Sequence, residues 1–259
     1  MTDDTITTLD SGVRPRRHPV RTTLIWIVAV LLVIVVGFLT WTQIVMLGER
    51  PAALKAWRDD AVAIRSTDHS IVMTPTDGDD GSGLVFIPGA KVDPYAYLYK
   101  LSGIAAGGTT VVITKPTLNL AFFDTRPLST WTADAPDVTD WSVGGHSLGG
   151  VRACMLADDP AVRGIVLFGS YCANDLSKTR LGALSIGGTH DGLSTPAKIK
   201  DAAPLLPPNA VFVEIAGANH AAFGDYGVQP GDGEATITSR QMRADITKAW
   251  SAFTGADRG

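Results

Sequence analysis

Two hydrophobic patterns divide the chain. From Leu24 to Leu39 every residue is apolar except Gly37, and no charged residue occurs between Arg21 and Glu49. A membrane-spanning helix needs about 20 mostly apolar residues, and residues 22–47 supply them. From Ser70 onward the pattern changes to short apolar blocks separated by turn residues and helical spacing. The blocks Ile71–Thr74, Leu84–Ile87, Thr110–Ile113, Trp141–Gly144, Gly164–Phe168, Ala183–Ile186 and Val211–Ile215 read as strands. Pro94–Ala106, Val151–Ala157, Thr195–Leu206 and Ser239–Phe253 read as helices between and after them. Continuous apolar runs of this length indicate parallel strands buried on both faces. Alternation with helices then predicts an α/β architecture, a mostly parallel doubly wound sheet of about seven strands. The first two strands are expected to pair as an antiparallel hairpin across the turn-rich Thr76–Gly83. Pro51–Arg65 has helical composition. Arg126–Asp140 is the longest stretch without evident structure.

The expected organisation is a cytoplasmic tail over 1–21, a transmembrane anchor over 22–47, a stalk or first helix over 48–69, and an α/β domain over 70–259. Arg14, Arg16, Arg17 and Arg21 precede the apolar run, whereas the charges after it are balanced. The positive-inside rule therefore keeps the N-terminus cytoplasmic and puts the domain outside. Trp26 and Trp41 stand near the two interfaces. A cleaved signal peptide has an apolar region of only about 7–15 residues and a small-residue cleavage site. This run is longer, and Thr40-Trp41-Thr42-Gln43 offers no such site. Arg16-Arg17 alone is a weak twin-arginine signal.

Composition narrows the function classes. In 259 residues the hydrophobic share is 45% and the net charge −4. That hydrophobic share suits a folded core. The balance gives no basic patch of the kind nucleic-acid binders carry.

The chemistry centres on Gly145-His146-Ser147-Leu148-Gly149, which fits the G-x-S-x-G nucleophile elbow. A serine hydroxyl must be presented to a base, and a tight strand-to-helix turn pushes it out of the backbone. Glycines two residues to either side remove the Cβ atoms that would clash. The elbow calls for an acid and then a histidine later in the chain. Asp191 follows the strand Ala183–Ile186, and His220 follows Val211–Ile215. Both fall at strand C-terminal ends, where open α/β sheets bind ligands. Ser147 is the expected nucleophile, His220 its base, and Asp191 the group that orients the imidazole. Asp175 and Asp225 compete for the acid's role, and Asp191 could instead serve only as a turn former. His146 reads as filler beside the elbow, and His190 as packing. One oxyanion donor is expected at the N–H of Leu148. The second falls in Pro88-Gly89-Ala90-Lys91, with Ala90 first and Lys91 second.

With these residues in place, the region from about Ile71 to Phe253 resembles the α/β-hydrolase family, in its compact dienelactone-hydrolase-like branch. The resemblance rests on Phe86-Ile87-Pro88-Gly89-Ala90, on Gly144 through Gly150, on Gly187-Gly188-Thr189-His190-Asp191-Gly192 and on Ala218-Asn219-His220. It implies hydrolysis of an ester, thioester or lactone through an acyl-enzyme, without metal or organic cofactor. Dienelactone hydrolases usually carry a cysteine nucleophile, where this chain has Ser147. Pro88-Gly89-Ala90 also replaces the His-Gly-Gly type of many lipases. The substrate expected is a small-molecule or lipid-like ester. Acyl transfer to an envelope sugar or lipid is an alternative, as is a non-catalytic binding protein of hydrolase fold.

Cys154 and Cys172 form no C-x-x-C pair. A bridge between them and a pair of buried thiols are both open. The run Asp77–Asp80 lacks the spacing of a calcium loop and reads as a solvated turn.

Overall fold

The computed structural model describes residues 19–256. Arg14, Arg16, Arg17 and His18, with the rest of 1–18, lie outside the described residues. The chain divides into two units, Met1–Trp41 and Thr42–Gly259. In the first, helix α1 (Pro19–Thr42) begins at a proline and carries the apolar run. Val20–Thr42 contains an 18-residue stretch of mean hydropathy 2.9 and is long and apolar enough to cross a membrane. The helix ends five residues before the expected limit at Leu47. Beyond it the backbone turns to another use: Met46 donates to Lys91 O at 2.7 Å and accepts from Asp93 N at 3.0 Å.

The second unit is built on one eight-stranded sheet in the order β1-β2-β4-β3-β5-β6-β7-β8. Its strands are β1 (Val62–Ser66), β2 (Ser70–Pro75), β3 (Ser82–Ile87), β4 (Thr110–Thr114), β5 (Asp140–His146), β6 (Val162–Phe168), β7 (Gly182–Gly188) and β8 (Val211–Ile215). β1 pairs with β2, and β2 with β4, antiparallel; the remaining pairs are parallel.

Two sequence expectations are corrected here. The end of Pro51–Arg65, read as helical, is instead the strand β1, which makes the sheet of about seven strands one of eight. Helix α2 (Arg50–Trp57) stops where Asp59 takes the next backbone donors: Ala61 N–H bonds its carboxylate and Val62 N–H its carbonyl. Val62 and Ile64 then turn inward while Ala63 and Arg65 face out, a strand alternation too short to register. The expected hairpin between Ile71–Thr74 and Leu84–Ile87 does not form. The antiparallel partner of β2 on that side is β4, which separates β2 from β3. The true hairpin is β1–β2, closed by Thr67, whose hydroxyl accepts from His69 N and Ser70 N.

Both faces of the sheet are covered, which explains the unbroken apolar runs. On one face Leu84, Phe86, Val111 and Ile113 pack with Leu98, Leu101, Met242, Ile246 and Trp250. These come from the sheet, from α3 (Leu98–Ala106) and from α7 (Ser239–Ala256). On the other face Val85, Ile87, Val112, Val143 and Ile165 pack with Trp131 and Ala153. Trp131 lies in α4 (Ser129–Thr132), a short helix inside the stretch that looked structureless. Ala153 lies in α5 (Leu148–Met155), which follows β5. The expected helix at Thr195–Leu206 is α6 (Pro196–Ala202) with a further 3-10 turn, capped by the Thr195 hydroxyl. Cys154 in α5 and Cys172 after β6 form a disulfide. In the acidic loop, Asp79 and Asp80 accept from the backbone N–H groups of Gly81 and Ser82.

Candidate active site

The central strand β5 runs between β3 and β6, and its C-terminal end delivers Ser147 to the sheet edge. Ser147 has φ 53° and ψ −124°, a backbone region that non-glycine residues rarely occupy. Such strain persists only where the surroundings over-determine it. Here they do: Ser147 N–H donates to Phe168 O at 3.1 Å, and Ser147 O accepts from Ser170 Oγ at 2.7 Å and Gly150 N at 3.0 Å. The flanking glycines are sterically required. A Cβ on Gly149 would lie 2.1 Å from Ile87 O, and one on Gly145 would lie 2.5 Å from Gly149 C. The turn therefore presses directly on the end of β3, where the expected oxyanion loop begins.

Asp191 leaves β7 and is 3% exposed. Its Oδ1 accepts from Leu193 N at 2.8 Å and Ser194 N at 2.7 Å. Its Oδ2 is left for Nδ1 of His220, 2.9 Å away. His220 leaves β8 and is 1% exposed. A carboxylate only accepts, so Nδ1 carries the proton and Nε2 keeps its lone pair. That Nε2 is buried and has no hydrogen-bond partner among the described residues. The rival acids are engaged elsewhere: Asp225 pairs with Lys100, and Asp175 caps its own turn through Ser177 N. The structure thus brings Asp191 and His220 into direct contact. It places Ser147 next to His146, whose ring packs tilted against that of His220 with centroids 4.4 Å apart. No hydrogen bond joins Ser147 Oγ to His220 Nε2 in this structure. Catalytic hydrogen bonds often tighten only once substrate is bound.

The loop after β3 separates the two oxyanion candidates. Lys91 N–H donates to Asn119 O at 2.7 Å, and Gly89 N–H to the Tyr97 hydroxyl at 3.0 Å. Ala90 N–H and Leu148 N–H have no acceptor among the described residues. Of the two loop candidates, Ala90 therefore keeps a donor to offer and Lys91 does not. Lys91, Leu118, Asn119 and Ser147 are the non-glycine residues with positive φ among those described. The first three lie in two loops joined by the Lys91–Asn119 bond, so backbone strain concentrates beside the elbow.

Sequence reasoning missed the partners of His146. Its ring is fully buried, and Nδ1 lies 2.9 Å from the Tyr97 hydroxyl. That hydroxyl accepts from Gly89 N–H and so turns its own proton toward Nδ1, leaving the His146 proton on Nε2. Burial holds the His146 imidazole well below its usual pKa, and the neighbouring His220 pushes the same way. Burial also raises the Tyr97 phenol, opposed by the Gly89 hydrogen bond, so the hydroxyl stays a donor. No spacing rule links residues 97 and 146, and nothing in the sequence signalled this contact. His190 has a lesser role, with Nδ1 2.8 Å from Glu234 O at the surface.

An apolar cavity of about 500 Å³ lies between α6 and the β7–β8 side of the sheet, and Ser147, Asp191 and His220 are not in its lining. A more polar cavity of about 640 Å³ backs the His220 loop and includes Lys100, Asn219, Asp225 and Asp232.

Comparison with known proteins identifies the fold and the family. Residues 83–244 match the model of the alpha/beta hydrolase family, more than half of the chain. The chain belongs to the α/β-hydrolase family. Among solved structures it is similar to a predicted CIB-like hydrolase from Thermoplasma acidophilum, at 12% identity and TM-score 0.55, covering 74% of this chain and 99% of that one. It is also similar to an esterase from Pyrobaculum calidifontis, at 16% identity and TM-score 0.53, covering 85% and 91%. At these identities the likeness establishes the fold alone. No match was found among curated protein sequences.

Proposed function

We propose that this chain is a membrane-anchored serine hydrolase that cleaves carboxylic esters through an acyl-enzyme. The observation that carries the reading is the buried Asp191–His220 pair, 2.9 Å apart, on the same sheet edge as the strained Ser147 elbow. In the proposed reaction Nε2 of His220 takes the Ser147 proton as Oγ attacks the ester carbonyl. Asp191 holds the tautomer and stabilises the imidazolium. The N–H groups of Ala90 and Leu148 receive the developing negative oxygen, a role worth about 3–4 kcal/mol per donor. The imidazolium then gives its proton to the leaving alcohol, and water releases the acid by the same steps.

The proposed organisation is a cytoplasmic tail (1–21), an anchor (22–47), a connecting segment with a first helix (48–69) and a hydrolase domain (70–259) outside the cytoplasm. The apolar helix supports the anchor. The Cys154–Cys172 bridge supports an oxidising compartment, since disulfides rarely persist in the cytosol. The proposed substrate is a small-molecule or lipid-like ester.

The test is turnover of chromogenic short- and medium-chain esters by the full chain in detergent, with Ser147→Ala beside it. Release of free acid with the parent and none with Ser147→Ala supports the reading. Release of the chromogenic alcohol only with an added alcohol or sugar acceptor, with a new ester formed and no free acid, would make the enzyme an acyltransferase. No turnover of any ester by folded parent would contradict the hydrolase.

A further inference from the structure

The segment 227–238 lies between the His220 loop and α7, and the chemistry above does not use it. Within it, the Asp232 carboxylate accepts four backbone N–H groups. Oδ1 takes those of Gly192 at 3.0 Å, His220 at 3.0 Å and Gly233 at 2.8 Å; Oδ2 takes that of Ala221 at 2.8 Å. Gly192 directly follows Asp191, and His220 is the proposed base. One side chain therefore grips the loop of the acid and the loop of the base.

This is not an ordinary Asp turn, in which the carboxylate bonds its own backbone two residues on. Gly192 is 40 residues away in sequence and His220 is 12. The fit around it is close. A Cβ on Gly192 would lie 2.8 Å from Gly233 N, and one on Gly233 would lie 2.0 Å from His190 O. Backbone thus rests on backbone, in contacts that glycine alone permits. Neighbouring bonds run the same way: Asn219 Nδ2 donates to Gly233 O at 2.7 Å, and Thr236 N–H to Gly217 O at 2.9 Å. Nearer the sheet the two loops are also tied directly, His190 N–H to Ala218 O at 2.9 Å and Gly217 N–H to Thr189 Oγ1 at 2.8 Å. Those ties lie below the acid–base pair. At the level of the pair itself the tie is Asp232, and its charge strengthens each bond it accepts.

We propose that Asp232 is a positioning residue that sets the acid loop against the base loop and so holds Asp191 Oδ2 on His220 Nδ1. The proposal rests on the reading of Asp191 and His220 as the catalytic pair. It acts through geometry: a misplacement of about 1 Å at a catalytic group costs about 10²-fold in rate. The carbonyl of Asn in Asp232→Asn can keep the three bonds at Oδ1 while its amide opposes Ala221 N–H. Asp232→Ala loses all four.

The experiment uses the full chain in detergent, with Asp232→Asn, Asp232→Ala and Val112→Ala. The last variant lowers stability from the core on the other face of the sheet, a cluster that includes no residue of either loop. Two readouts are taken: hydrogen exchange of peptides covering 189–193 and 217–223, and the rate of covalent labelling by a fluorophosphonate. The expected result for Asp232→Ala is faster exchange in both loops together and labelling slowed about 10²-fold. Asp232→Asn should fall between it and the parent, and Val112→Ala should label at nearly the parental rate. Exchange unchanged in either loop, or labelling slowed equally by Val112→Ala at a matched melting temperature, would overturn the proposal. Failure of the parent itself to label would count against the hydrolase, while the exchange readout would still decide the role of Asp232.

Discussion

The Tyr97 hydroxyl lies 2.9 Å from Nδ1 of His146 and receives the Gly89 N–H at 3.0 Å. One buried oxygen therefore joins the loop that carries Ala90 to the residue before Ser147. Tyr97→Phe removes that oxygen and little else. A buried N–H left without an acceptor costs about 1–3 kcal/mol. The expected outcome is a lower melting temperature and a loss of kcat/KM of roughly tenfold or more, from a misplaced oxyanion donor. Thermal unfolding and ester kinetics on the purified variant check both parts.

His146 also predicts a pH dependence of stability. Burial keeps its folded-state pKa well below the ordinary 6.5, and His220 adds to the effect. As pH falls through 6.5 the unfolded chain takes up a proton that the folded chain refuses. Stability is thus complete above that pH and falls below it, by up to about 1.4 kcal/mol per pH unit. His146→Asn keeps a polar partner for Tyr97 without the titration. The difference in urea stability between parent and variant should change steadily from pH 7 to pH 5. A constant difference would contradict the assignment.

Much of this architecture was legible because it follows from local pattern. The strands of the parallel sheet announced themselves as unbroken apolar runs, since both faces are buried. The elbow was legible from glycines whose Cβ atoms have no room. The contact between Asp191 and His220 was foreseeable because each lies within five residues of the C-terminal end of its strand. What escaped depends on contacts between distant segments. β1 is five residues long with a single inward face, and its pairing with β2 has no signature within Val62–Ser66. The β2–β3 hairpin looked natural because Thr76–Gly83 is rich in turn residues, yet the chain uses that turn to cross beyond β4. Tyr97 and Asp232 act on residues 49 and up to 40 positions away. Asp232 sits in Gly231-Asp232-Gly233, a sequence that reads only as a turn.

Lys100 is 1% exposed and forms an ion pair with Asp225, which is 6% exposed. Ser239 Oγ bonds both, at 2.6 Å from each. Burial pulls the Lys100 pKa down, and Asp225 opposes the shift. Lys100→Met leaves a buried carboxylate unpaired and should destabilise the protein by about 3–5 kcal/mol. Replacing both residues, as in Lys100→Met with Asp225→Leu, should recover most of that loss. Urea unfolding of the two single variants and the double variant measures the coupling.

The Cys154–Cys172 bridge ties α5, which starts at the elbow, to the segment whose Ser170 bonds Ser147 O. It closes a loop of 18 residues. Cys154→Ser with Cys172→Ser should cost about 3 kcal/mol, or roughly 6–12 °C in melting temperature for a domain of this size. Calorimetry of parent and variant checks the value. A variant as stable as the parent would show that the bridge contributes nothing to the fold.

The central claim is that Ser147 is a nucleophile activated by the His220–Asp191 pair. The most direct test is covalent labelling of the full chain by a fluorophosphonate, followed by intact mass. The account predicts one label per chain on the parent, none on Ser147→Ala, and labelling slowed by about 10³-fold or more on His220→Ala. A folded parent that takes no label, or a Ser147→Ala variant that labels like the parent, would contradict it.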